Sequence, residues 1–231
     1  MLYGTAVITY TLRFCARCFL ALTKQLLFLE APFTMSANFL ARMRVYLSGA
    51  SSSGKSMLQA DLASKFPSHK IITEVARDLM AELHITLDDL MKSLATDKKL
   101  FGDLQVQILD RQLADTDRYT AADFISDRGP DALVYTKFYV PARYDEVRQS
   151  AAGQAAVQRC KQPGTLVVLV SPHGQGSRDD GTRLAPSDSE AEQFTDCFRE
   201  FFGEERIEYL DLRERDVGRR VELVAAAMEG M

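Results

Sequence analysis

Long uninterrupted apolar stretches are missing from this chain of 231 residues. No run of 18 or more apolar residues occurs, even in the apolar segment from Leu2 to Phe33, so a membrane-spanning helix is not expected. A surplus of positive charge is missing too. The formal net charge is −4, which argues against broad binding to nucleic acid, whose phosphates need concentrated Lys and Arg. Any anion should therefore be held locally. Metal-ligand patterns are sparse: His69, His84 and His173 are scattered, and Cys15 and Cys18 form one C-x-x-C with no second to complete a zinc site. That pair could be redox-active or half of such a site; the plainer reading is reduced thiols in an intracellular protein. No N-K-x-D sequence for reading guanine, no internal repeat and no low-complexity run occur.

What is present suits a globular core, with 46% hydrophobic and 26% charged residues in a length that holds one large domain or two small ones. Charge is distributed unevenly. Residues 1–44 carry Arg13, Arg17, Lys24, Arg42 and Arg44 against Glu30 alone, which marks the first forty-odd residues as separate from the acidic remainder. Residues 1–43 read as an organelle-targeting presequence, an amphipathic membrane-surface helix, or an extension outside the folded domain, with Met35 and Met43 as sensible starts before the first strand. The corresponding locations are cytoplasmic or, through that segment, mitochondrial, and a membrane contact would run through it.

The most specific signal is Gly49-Ala50-Ser51-Ser52-Ser53-Gly54-Lys55-Ser56, a G-x-x-x-x-G-K-S phosphate loop. Small residues let successive backbone N–H groups of Gly49, Ser51, Ser52, Ser53 and Gly54 curl around phosphate oxygens. Lys55 would reach the terminal phosphates, and Ser56 would offer a hydroxyl to Mg²⁺. An apolar run, Met43 to Leu47, precedes the loop, and a helical stripe of Leu58, Leu62 and Phe66 follows it up to Pro67.

Further strands are expected at Lys70 to Thr73, Asp123 to Ser126, Thr165 to Val170 and Arg206 to Leu210, each separated by helical patterns. This alternation predicts residues 44–231 as one α/β domain, a three-layer α-β-α P-loop NTPase with a mainly parallel five-stranded sheet. Strand ends beside a phosphate loop are where such sheets put their ligands. Three groups fall there. Glu74 and Arg77, one helical turn apart, form either a surface ion pair or a carboxylate and guanidinium facing an acceptor. Asp127, with Arg128 beside it, is placed to hold Mg²⁺ or its water shell. The segment Gly174 to Pro186 reads as a loop, or as a lid carrying Arg178 and Arg183. In the long helix Leu100 to Tyr119, Asp103, Gln105, Gln107 and Gln112 make a solvated face or line a pocket.

From about Arg44 to its end the chain resembles the AAA-type P-loop domain shared by the nicotinamide riboside kinase part of NadR proteins and a eukaryotic group of translocation-defect proteins. The phosphate loop, the E-x-x-R of Glu74 and Arg77, the strand-end Asp127 and the D-G-x-R of Asp180 to Arg183 carry the likeness. In the NadR branch this implies ATP-dependent phosphorylation of a nucleoside, with the strand-end Asp near the ribose hydroxyl. Here Asp-Arg-Gly stands where a second acid would be, and looks like the acid–Arg pairs of deoxynucleoside and nucleotide kinases.

The expected function is ATP-dependent phosphorylation of a nucleoside- or nucleotide-type small molecule. Mg²⁺ would sit at Ser56 and Asp127, the arginines 128, 178 and 183 would stabilise phosphoryl charge, and Glu74 and Arg77 would orient the acceptor. The rival expectation is a non-kinase NTP-binding switch that regulates a protein or membrane partner.

Overall fold

A computed structural model describes residues 42–172 and 187–231. The N-terminal segment with Cys15 and Cys18, and the candidate lid with Arg178 and Arg183, lie outside the described residues. Five strands, β1 (Arg44–Ser48), β2 (Lys70–Ile72), β3 (Phe124–Asp127), β4 (Thr165–Val170) and β5 (Leu210–Leu212), form one sheet in the order β2-β3-β1-β4-β5. All four pairings are parallel, so every strand ends at the same edge. The register puts Leu47 beside Asp127 on one side and Val168 on the other. The chain leaves β1 toward β3 and β2, then crosses to β4. The crevice at this change of direction is where open parallel sheets hold ligands.

Alternation within the strands creates the three layers, because successive side chains point to opposite faces. Val45, Leu47, Ile125, Val168 and Val170 pack against Leu58 and Leu62 of α1 (Lys55–Lys65) and Val224 and Met228 of α9 (Val217–Glu229). Tyr46, Phe124, Val167 and Leu169 face the other way, onto α4 (Lys99–Asp117), α5 (Asp131–Tyr139), α7 (Ala151–Cys160) and α8 (Asp188–Glu205). Each fully buried Leu or Phe side chain contributes about 2 kcal/mol.

Between β2 and α4 lie α2 (Val75–Glu82) and α3 (Leu87–Ala95), and α6 (Tyr144–Gln149) follows a short 3-10 turn at Pro141–Arg143. Thr86 caps α3 with a reciprocal Asp89 bond, and the Ser187 side chain accepts from the Glu190 N–H at the start of α8. The last strand falls at Leu210–Leu212 rather than at Arg206 to Leu210. Arg206 is instead the left-handed cap of α8, at φ 54°, and so cannot begin an extended segment. Among the described residues, no helix is long and apolar enough to cross a membrane.

Candidate functional site

Residues 49–56 turn from the end of β1 into α1. Gly49, Ser52 and Gly54 hold positive φ angles of 141°, 61° and 92°. A Cβ on Gly49 would stand 2.6 Å from the Val170 carbonyl, so β4 leaves room for glycine only. Lys55 is 4% exposed, and its Nζ donates to the carbonyls of Gly49 (2.9 Å) and Ala50 (2.6 Å) and to Ser53 Oγ (3.2 Å). None of these partners carries a charge. Burial, reinforced by the Arg128 guanidinium, therefore lowers the Lys55 ammonium to about 8.

A pH effect with a definite sign follows. Between about 8 and the ordinary lysine value of 10.5 the unfolded chain binds the extra proton, so stability rises with pH as the cost of burying this charge disappears. Relative to a Lys55→Met variant, the wild type should gain about 2.5 kcal/mol between pH 7 and pH 10. Urea unfolding of both proteins across that range checks this, and parallel profiles would contradict it.

Ser56 Oγ donates to Asp127 Oδ2 at 2.5 Å, joining the first turn of α1 to the end of β3. Asp127 is 3% exposed, and its Oδ1 is buried without a hydrogen-bond partner among the described residues. An orphaned carboxylate oxygen beside a hydroxyl suits a hard cation such as Mg²⁺, which prefers oxygen ligands. Among the described residues no three His, Cys, Asp or Glu side chains gather to cage a metal. The protein offers a carboxylate and a hydroxyl, the share Mg²⁺ takes when phosphates and water complete its shell.

The next residue ties the site together. Arg128 donates to Glu74 Oε1 from Nε (3.1 Å) and Nη2 (2.5 Å), and from Nη1 to the Gly49 carbonyl (3.1 Å), Asp131 Oδ1 (3.2 Å) and Tyr135 OH (3.4 Å). Burial pushes the Glu74 carboxyl up, but the Arg128 and Lys55 charges outweigh it and hold Glu74 below the usual carboxylate range. Glu74 thus pairs with Arg128 across the site; the Arg77 Nε of the i,i+3 pair lies farther off, at 3.8 Å. Asp131 accepts from the Gly49 N–H (3.3 Å) and the Gly129 N–H (2.9 Å), so one carboxylate fastens the phosphate loop to the turn after β3.

Glu74, Arg77, Arg128 and Ser51 also face a cavity of about 100 Å³. A second cavity, about 10 Å³, has room for roughly one water; the first is large enough to admit a small molecule. Its remaining walls are Ala76, Met80, Leu87, Leu90, Phe101, Leu104, Ile108 and Tyr135, together with Gln105. Gln105 is 5% exposed and makes no hydrogen bond among the described residues, so a buried amide keeps its donors and acceptor for the cavity. The polar candidates of α4 separate accordingly. Gln105 lines the cavity, Gln107 is exposed, Asp103 pairs with Arg143 (2.6 Å), and Gln112 lies behind Arg128.

Sequence reading missed Asp131, Tyr135 and Arg220. Asp131 had a readable signal, an acid four residues after a strand-end acid. Arg220 had none: its Nη1 reaches the Ser53 carbonyl (3.0 Å) and its Nη2 the Ser171 carbonyl (2.7 Å), and Ser53 lies 167 positions away in the chain.

A parallel sheet with a G-x-x-x-x-G-K-S loop after its central strand, and an acid at the end of the adjacent strand, defines a P-loop α/β domain. The AAA domain family matches residues 44–220, more than three quarters of the chain, and the chain belongs to that family. No curated protein matches it by sequence. Among solved structures, the NadR protein in complex with NR aligns at a TM-score of 0.55 and 14% identity, over 82% of this chain and 50% of that one. The deoxyadenosine kinase from M. mycoides aligns at 0.53 with its products bound and at 0.51 with dCTP, each at 16% identity over 82% of this chain and 100% of that one. The fold is thus kinase-like.

Proposed function

We propose that this protein is an ATP-dependent kinase that phosphorylates a nucleoside- or nucleotide-type acceptor held in the cavity. One observation carries the reading: the Arg128 guanidinium contacts both the Gly49 carbonyl of the phosphate loop and Glu74 on the cavity wall. The phosphate loop and the cavity therefore share a side chain, as donor and acceptor sites of a group transfer must meet. In this reading Gly49 to Ser56 cradle the phosphates, and Lys55 exchanges its loop carbonyls for terminal phosphate oxygens. Ser56 and Asp127 would hold Mg²⁺, which supplies charge neutralisation on the phosphates. Asp127 or Glu74 would accept the proton of the attacking hydroxyl, and Arg128 would stabilise charge on the phosphoryl group. Arg77 would meet the acceptor at the cavity mouth, and the Gln105 amide suits the paired donor and acceptor of a heterocycle edge.

The test is MgATP with a panel of nucleosides, nicotinamide riboside among them, deoxynucleosides and their monophosphates, with products read by mass spectrometry. At least one acceptor should be phosphorylated. Gln105→Leu should lower kcat/KM for that acceptor roughly tenfold to hundredfold, leaving the KM for ATP unchanged. ATP hydrolysis with no phosphorylated acceptor, accelerated by a protein partner, would favour a nucleotide switch and overturn the reading.

A further inference from the structure

Arg128 occupies an unfavourable backbone conformation. Its φ is 136°, a region that L side chains rarely adopt, and the residue is not glycine. Such strain persists only where the surroundings impose it, and it gathers at functional sites. Two side chains impose it here through one atom. Gln112 Nε2, on α4, donates to the Arg128 carbonyl at 2.5 Å, and Ser126 Oγ donates to the same carbonyl at 2.9 Å.

The following residue leaves no slack. A Cβ on Gly129 would stand 2.7 Å from Ser48 Oγ and 3.1 Å from Tyr46 Cβ, so the turn is pressed against β1. Gln112 is 5% exposed and lines the small second cavity, which has room for roughly one water; its Oε1 is buried with no protein partner among the described residues. A methionine of similar volume would exchange that amide for apolar surface.

We infer that Gln112 is a positioning residue: it holds the Arg128 carbonyl so that the guanidinium is fixed between Glu74 and the phosphate loop. This rests on the kinase reading for its effect on catalysis, but the placement of Arg128 can be measured without it. Gln112 lines the small second cavity but touches neither the acceptor cavity nor the loop. It fixes one torsion of the residue that joins them, and small displacements of a group aimed at a transferring phosphoryl are costly to rate.

The discriminating variant is Gln112→Met, which keeps the volume and leaves Ser126 Oγ to satisfy the carbonyl. The expected result is opposite changes in two measurements. Phosphoryl transfer from MgATP to the best acceptor of the panel should fall at least tenfold in kcat/KM, while the melting temperature of the ligand-free protein stays equal or rises. A residue that merely filled the core would leave transfer unchanged, because methionine keeps the volume. The third readout is the Arg128 Nε–H resonance of 15N-labelled protein, assigned with Arg128→Lys. In wild type it should be protected from solvent exchange by Glu74, and in Gln112→Met that protection should be lost. If wild type transfers phosphate to no acceptor, the kinase reading fails and the Nε–H signal alone decides the role of Gln112. Unchanged Nε–H protection in Gln112→Met, or unchanged transfer whatever the melting temperature, would overturn the inference.

Discussion

Replacing Lys55 with alanine should weaken MgATP binding at least a hundredfold and remove phosphoryl transfer. Charge-assisted hydrogen bonds to phosphate contribute about 1.5–3 kcal/mol each, and a lysine spanning two terminal phosphates supplies about 3 kcal/mol, or more than a hundredfold. Among the described residues the ammonium bonds to the Gly49 and Ala50 carbonyls and the Ser53 hydroxyl of its own loop. Those partners are neutral, so phosphate oxygens are better ones. Isothermal titration with ATP and with AMP separates the effects, because the alanine variant should lose affinity for ATP far more than for AMP. Equal losses for both would show that Lys55 serves the loop rather than the phosphates.

Arg128→Met should produce the largest stability change. Side chains of Arg128, Glu74 and Asp131 are 11%, 18% and 4% exposed, and removing the cation strands two buried carboxylates. Breaking a buried pair from one side costs about 3–5 kcal/mol, which for a domain of this size lowers the melting temperature by roughly 10 °C. The pH dependence identifies the cause. In wild type, Glu74 is held below the usual carboxylate range, so its contribution is present at neutral pH and is lost as pH falls. In the variant, burial is opposed chiefly by Lys55, so Glu74 takes up a proton more readily and the deficit should shrink from pH 7 toward pH 5. Adding Glu74→Met to Arg128→Met should recover much of the stability without restoring transfer. Thermal unfolding of the single and double variants across that pH range provides the measurement, and a deficit that did not change with pH would rule out the stranded carboxylates.

Local patterns carried most of the fold. The phosphate loop, the T-L-V-V-L-V of β4 and the leucine spacing of α1 depend on neighbours in the chain, and each lies where its residues put it. The strand β3 was harder to recognise, since Phe124-Ile125-Ser126-Asp127 is only half apolar. All four residues are nonetheless buried: the Ser126 hydroxyl donates to the Arg128 carbonyl, and one Asp127 oxygen accepts from Ser56. The site was legible as a set of residues and not as a set of pairs. Glu74 with Arg77 is the pairing that spacing offers, and Glu74 with Arg128, 54 positions apart, is the one the sheet order creates by placing β2 beside β3. Gln105 and Gln112 read alike on a helix wheel. Tertiary packing alone separates one that lines the cavity from one that braces Arg128.

In the proposed reaction the phosphate loop and the cavity beside Phe101 and Gln105 are two halves of one site, joined at Arg128. A crystal structure with a non-hydrolysable ATP analogue, Mg²⁺ and the acceptor that the panel selects tests it most directly. Triphosphate should lie on residues 49–56, the acceptor ring against Gln105, and its hydroxyl between Glu74 and Asp127, pointing at the terminal phosphorus. An acceptor bound elsewhere, or a hydroxyl turned away from the nucleotide, would contradict it.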